Sequence, residues 1–224
     1  MVFIKGGSYQ MGDIYQNENP DATPVHTVTL SDFKIGKYEV TYRQYDAFAQ
    51  KTGRELPHAD SLGRGLRAVA YVSWEEARAF CAFYGWRLPT EEEWEYAARS
   101  GGKRQRFAGT NDIDSLEAYA RTSENSSPNA FPVGTKRPND AGLYDMSGNM
   151  VEWIGRYYQY YPKEGTQPTW SKMDPDGIRI LRGGSYRLNK QISATYWRIG
   201  MLADSKENDV GFRCADPISQ ENSP

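Results

Sequence analysis

Few groups in this chain could do covalent or metal chemistry. The two histidines, His26 and His58, are too few for a three-histidine metal site. His26 stands in a strand-like run and His58 follows Pro57 in a loop-like one, so both are expected to be structural or solvated. No nucleophile motif with a histidine partner, as a serine or cysteine hydrolase needs, is visible. The two cysteines sit in apolar contexts, Ala79-Phe80-Cys81-Ala82-Phe83 and Gly211-Phe212-Arg213-Cys214-Ala215. Buried free thiols are the expected state, with a disulfide left open. What stands out is the interval from Arg187 to Asp209, between Leu181-Arg182-Gly183-Gly184-Ser185-Tyr186 and Val210-Gly211-Phe212-Arg213. A surface loop between two strands is normally polar, yet this one holds Leu188, Ile192, Tyr196, Trp197, Ile199, Met201 and Leu202. Ile192 and Tyr196 are expected in the core. Trp197 with Ile199-Gly200-Met201-Leu202, flanked by Arg187 and Arg198 and followed by the polar run 204–209, reads as an exposed patch. Such a patch suits protein binding better than catalysis.

Holding that interval in place requires a sizeable scaffold, and 224 residues suffice for one domain with a real core. The reading is one domain over residues 1–216 and a polar tail over 217–224. Charge is balanced, with Lys+Arg 27 against Asp+Glu 29, which argues against a nucleic-acid partner. Hydrophobic residues make up 38% while aromatics reach 13%, and 21 Gly and 12 Pro point to short elements joined by long loops. No run is long enough to span a membrane. Met1 runs straight into Val2-Phe3-Ile4 without the charged and apolar regions of a signal peptide. A cell-surface or exported location is expected if a signal or lipoprotein segment has been removed.

Val2 to Ile4 and His26 to Leu30 read as strands. Three helices are announced by capping boxes, Thr41…Gln44, Ser73…Glu76 and Thr90…Glu93. The first carries Tyr42, Tyr45 and Ala49 and stops at Gly53; the second carries Trp74, Ala77, Phe80, Cys81 and Tyr84 and stops at Gly85. The third carries Trp94, Ala97 and Ala98 and ends at Gly101-Gly102. Residues 103–139 read as loops around a short strand at Phe131-Pro132-Val133. Arg179 to Arg182 and Val210 to Cys214 read as core strands. Few helices, many short strands and long loops indicate an α+β domain.

Four segments, in this order, resemble the formylglycine-generating-enzyme (sulfatase-modifying factor) family, whose domain is a variant of the C-type lectin fold. They are Met1 to Gly12, Arg87-Leu88-Pro89-Thr90-Glu91-Glu92-Glu93-Trp94-Glu95-Tyr96-Ala97-Ala98-Arg99, Gly142 to Trp153 with its Gly148-Asn149-Met150-Val151-Glu152-Trp153 core, and the closing pair quoted above. In the family's enzymes two cysteines after Gly-Gly-Ser bind copper, activate oxygen and convert a substrate cysteine to formylglycine; soft thiolates select Cu(I). The corresponding positions here fall near Leu188 and Ser193, and neither Cys81 nor Cys214 replaces them. A second, iron-dependent branch needs a histidine triad that the chain lacks. The resemblance therefore implies the fold without either chemistry.

The same interval is similar to the variable region of retroelement-diversified proteins that use this lectin-like fold. Arg182 to Tyr186 match its start, Arg198 its fixed arginine, Ala203-Asp204 its turn and Gly211 to Arg213 its end. The likeness implies ligand-binding positions at Arg187, Leu188, Asn189, Trp197, Ile199, Gly200, Met201 and Leu202, with Gln191, Ser205 and Glu207 beside them. Some relatives carry structural calcium, for which Asn149 and Glu152 are the candidates; a hydrogen-bonded brace is the preferred role for that pair. The lectin-type Glu-Pro-Asn sugar motif is absent. The expectation is a non-catalytic protein-recognition module, without a required cofactor, whose partner is a protein or cell-surface ligand. The alternative is a cysteine-independent enzyme of the same superfamily acting on a peptide substrate through polar groups near Arg198 and Glu152.

Overall fold

The computed structural model describes residues 1–16, 19–59, 63–126, 131–161 and 177–217. In chain order its elements are β1 (Val2–Ile4), β2 (Gly7–Met11), β3 (His26–Leu30), β4 (Phe33–Ile35), α1 (Tyr42–Thr52), α2 (Trp74–Phe83), α3 (Glu91–Ala98), β5 (Val151–Tyr157), β6 (Ile178–Arg182), β7 (Arg198–Leu202), β8 (Val210–Gly211) and β9 (Ala215–Pro217). Each helix begins as the capping boxes predict. Thr41, Ser73 and Thr90 accept from the backbone N–H three residues on, and Gln44, Glu76 and Glu93 reach back to the cap N–H. The first helix is closed by Gly53 in the left-handed region, at φ 67°.

Strands β1, β4 and β9 form one sheet and β2 with β3 a hairpin, while β7-β6-β5-β8 form the four-stranded sheet that carries Leu181-Arg182 and Val210-Gly211. In that sheet β5 and β6 are antiparallel with Trp153 opposite Leu181, and β6 and β7 are antiparallel with Leu181 opposite Ile199. The period of two along a strand divides the core. Trp153 and Leu181 join Tyr45, Phe48, Phe80 and Phe212 on one side, and Ile154 and Ile180 join Trp94, Leu143 and Tyr196 on the other.

Three sequence expectations change. The interval 187–209 is not one loop: it contains a 3-10 turn at Lys190–Ser193 and the whole of β7, an edge strand paired to β6 along its length. Gly200 in the middle of a five-residue run masks the strand pattern, and the ladder to β6 overrides that local weakness. Phe131 to Val133 forms no strand; Pro132 makes only an isolated bridge with Arg67. Of the stretch Val210 to Cys214 only Val210-Gly211 forms a strand, β8 in the four-stranded sheet; the next strand, β9, begins at Ala215 and belongs to another sheet. Of the expected polar tail, Pro217 closes β9 and residues 218–224 lie outside the described residues.

The cysteines correct a fourth expectation. Cys81, in the last turn of α2, and Cys214, just before β9, are joined in a disulfide with Cα atoms 5.6 Å apart. They meet because Trp86 N–H donates back to the Cys81 carbonyl, and Arg87 and Ala215 then form a reciprocal bridge. A link across 133 residues removes much of the freedom of the unfolded chain. Replacing both cysteines by alanine is expected to destabilise the fold by about 2–5 kcal/mol. The check is the denaturant midpoint; an unchanged midpoint would mean that the pair does not constrain the folded protein.

Candidate ligand-binding surface

The signature residues are buried and paired with one another. Arg182 donates to Glu95 and to the carbonyls of Thr195 and Tyr196, at 2.9 Å each. Glu95 also holds Arg99 at 2.8 Å, and Arg99 in turn donates to the Gln10 and Gly12 carbonyls. Arg213 makes a forked pair with Glu152 at 2.7 Å, and the Trp94 indole N–H donates to the same carboxylate at 2.9 Å. Gly183 and Gly184 adopt φ of 100° and 71°, and a Cβ on Gly184 would sit 2.5 Å from the Ser193 hydroxyl, so glycine is required there. Arg198 belongs to this frame as well. It is 4% exposed, ion-paired with Glu91 at 2.5 Å, and bonded to the Asp21 and Gln159 carbonyls. It therefore does not flank a surface patch; it lines a cavity of about 540 Å³ with His26, Glu91, Glu92, Arg156 and Tyr161, while Glu152 is fully buried.

The positions that the resemblance marks for ligand binding fall outside this frame. Arg187, Asn189, Gln191, Gly200, Leu202 and Glu207 are exposed, and Leu188, Trp197, Ile199, Met201 and Ser205 are half-buried. The residues between them, Ser193 to Tyr196 and Arg198, are buried. Asn189 caps the 3-10 turn by accepting from Ile192 N–H at 3.2 Å. Arg187 is held by Asn208, to whose side-chain oxygen it donates at 2.6 Å. Leu202 and Ser205 are linked by a turn, and the Glu207 carbonyl accepts from Tyr71 N–H at 2.9 Å. The apolar patch is divided rather than continuous. Ile199, Met201 and Leu188 rest against the core cluster of Phe80 and Phe212, while Trp197 rests with Tyr158 against the other cluster. Gly200 lies against Tyr158, whose ring would stand 3.1 Å from a Cβ there, so a larger residue at 200 needs that ring to move. Asn208, Tyr71 and Tyr158 were not legible as part of this surface. Each is brought there by a loop closure or a neighbouring strand rather than by sequence position.

The residues do not fit the family's copper. Leu188 is half-buried among apolar side chains and Ser193 offers a buried hydroxyl, so the soft ligand pair is missing from its place. The histidines lie in separate settings, His26 edge-on to Tyr161 and His58 edge-on to Tyr71. Among the described residues no group of three or more His, Cys, Asp or Glu side chains is placed to hold a metal.

Asn149 and Glu152 do not fit calcium either, because their oxygens are already engaged. Both Glu152 oxygens face the Arg213 guanidinium, and the Asn149 side chain donates to Glu39 at 2.5 Å while accepting from Phe131 N–H at 3.2 Å. The pair braces the turn. Beside it, burial pushes the Glu39 carboxyl well above the usual carboxylate range, with the charges of Asp145 and Glu152 adding to the effect. Burial also raises Asp145 to about 6 from its ordinary 3.8. Both groups bind protons more readily in the folded chain, so their protonation favours folding. For Asp145 that contribution is complete below the ordinary carboxylate range and is lost as pH rises through about 6. Asp145→Asn keeps an acceptor for Gly134 N–H and removes the buried charge. It is expected to gain about 1–3 kcal/mol over the wild type at neutral pH and to lose that advantage toward pH ~4. Paired melts across this range check it; a constant difference would discard the assignment.

Comparison with known proteins fits this frame. Residues 1–218 match the sulfatase-modifying factor enzyme 1-like domain model, and the chain belongs to that family. It is 30% identical to the formylglycine-generating enzyme of Streptomyces coelicolor, over 96% of this chain and 88% of that protein. It is also 30% identical to the inactive C-alpha-formylglycine-generating enzyme 2 of Bos taurus, over 96% of this chain and 87% of that protein. Among solved structures, Treponema denticola variable protein 1 superposes with a TM-score of 0.83 at 27% identity, covering 97% of this chain and 94% of that one. The major tropism determinant U1 variant, at 12% identity and a TM-score of 0.53 over 83% of this chain and 50% of that one, shares the fold alone. The fold is the α+β, C-type lectin-like variant that the motifs imply. Among the described residues no helix is long and apolar enough to cross a membrane.

Proposed function

We propose that this chain is a non-catalytic recognition module that displays the side chains of 187–207 to a protein or cell-surface ligand, as a retroelement-diversified variable protein does. The observation that carries the reading is the division of that interval. Residues fixed by the fold, Ser193 to Tyr196 and Arg198, are buried in the frame, while chemically unlike side chains between them point outward or lie half-buried. A surface whose backbone is held by a ladder, buried ion pairs and a disulfide loses little freedom on binding. The likeness to a protein named as variable supports the same reading, and so does the likeness to an inactive relative. The missing copper ligands speak against oxidation of a peptide cysteine. The disulfide supports an exported or cell-surface location, since such bonds persist in oxidising compartments. No metal or cofactor is required for this role.

The reading predicts different tolerance at neighbouring positions. A library randomised at 187, 188, 189, 191, 197, 199, 201, 202, 205 and 207 is expected to remain largely folded and to yield binders on selection. A library randomised at the buried positions 193–196 and 198 is expected to be mostly unfolded. Proteolysis of displayed libraries reads the difference, and equal loss in both would end the proposal. A coding near-copy of the 182–213 segment, differing at adenines and adjacent to a reverse transcriptase gene, is expected in the source genome.

A further inference from the structure

We infer that Arg179 is the charged anchor of the display surface and receives a carboxylate from an acidic residue of a protein partner; the inference rests on the recognition role proposed above. Arg179 lies on β6 in a cross-strand row, with Tyr157 opposite it on β5 and Met201 opposite it on β7. Its guanidinium carbon stands 3.9 Å from the centre of the Trp74 ring and 3.5 Å from that of Tyr157. The side chain is more than nine-tenths buried, at 8% exposure. Yet among the described residues its Nε has no hydrogen-bond partner and no carboxylate is ion-paired with it. The acids on the adjoining helix are committed elsewhere, Glu75 to Arg78 at 2.8 Å and Glu76 to Lys206 at 2.6 Å.

A guanidinium taken out of water without a counter-charge is costly, and stacking on two rings offsets only part of that cost. The other deeply buried arginines described above, Arg99, Arg182, Arg198 and Arg213, each have a carboxylate. With rings over the guanidinium and Nε buried, the direction left for a ligand is the edge of the two terminal nitrogens, whose parallel N–H donors match a planar carboxylate. The setting also selects the kind of anion. Tyr157, at 42% exposure, and the half-buried Met201 are neutral, so a singly charged group with an apolar neighbour suits the place better than a phosphate. Met201 is one of the display positions, which puts the anchor beside residues expected to choose the partner.

The test uses the full chain, labelled with nitrogen-15 and carbon-13, and reads the Arg179 Nε–H resonance, assigned through side-chain correlations to the Arg179 backbone amide. N-acetyl-glutamyl-leucinamide is expected to shift that resonance saturably, and N-acetyl-glutaminyl-leucinamide to leave it in place. Arg179→Lys, which keeps the charge and loses the fork, is expected to weaken the glutamyl probe about tenfold, read from backbone amides of β6 and β7. The inference is overturned if the glutamyl probe gives no saturable shift, if the glutaminyl probe shifts the resonance equally, or if inorganic phosphate binds as well as the glutamyl probe. The wild-type titration decides the matter even if the variant folds poorly. A negative result with the display library still folded removes the anchor alone, whereas a library that unfolds removes the recognition role itself.

Discussion

The fold depends on buried charges that satisfy one another across distant segments. Glu91 and Glu95 on α3 hold Arg198 and Arg182 from the four-stranded sheet, and Glu95 also holds Arg99 at the helix end. Glu152 on β5 holds Arg213 from the segment between β8 and β9. Burying so many charges brings little net stability, because desolvation offsets most of the attraction. Removing one partner, however, strands the other in an apolar interior. The network therefore acts as a specification: only one arrangement of α3, the sheet and the opening hairpin leaves every member paired.

That arrangement explains why polar motifs in this chain are structural. Arg182, Arg198, Glu152 and Arg213 look like candidate site groups in a sequence because they are charged and surrounded by glycine and aromatic residues. Each is almost fully buried: the three arginines donate to backbone carbonyls as well as to carboxylates, and Glu152 accepts from Arg213 and the Trp94 indole. The chain is similar to an enzyme, an inactive relative and a variable protein alike. What differs between such proteins can reside in side chains that the network does not use.

The helices were legible because their signals are local: a cap, a reciprocal acid or amide, an apolar stripe and a glycine stop. The strand β7 was not, since Arg198-Ile199-Gly200-Met201-Leu202 has weak strand character without its partner β6. Cys81 and Cys214 gave no sign of pairing, as only the return of the chain at Arg87 and Ala215 brings them together. Arg179 was equally silent, because the Trp74 and Tyr157 rings that stack on it come from other elements of the chain.

By itself the sequence determined the family, the α+β class, the three capped helices and the loss of the copper thiolates, because motifs and residue types carry those properties without regard to contacts. Only the tertiary structure decided which charged residues are frame and which are surface, that the apolar patch is shared between two core clusters, and that the cysteines are joined. Burial and pairing are properties of neighbours in space, and in this fold the decisive neighbours lie tens of residues apart along the chain.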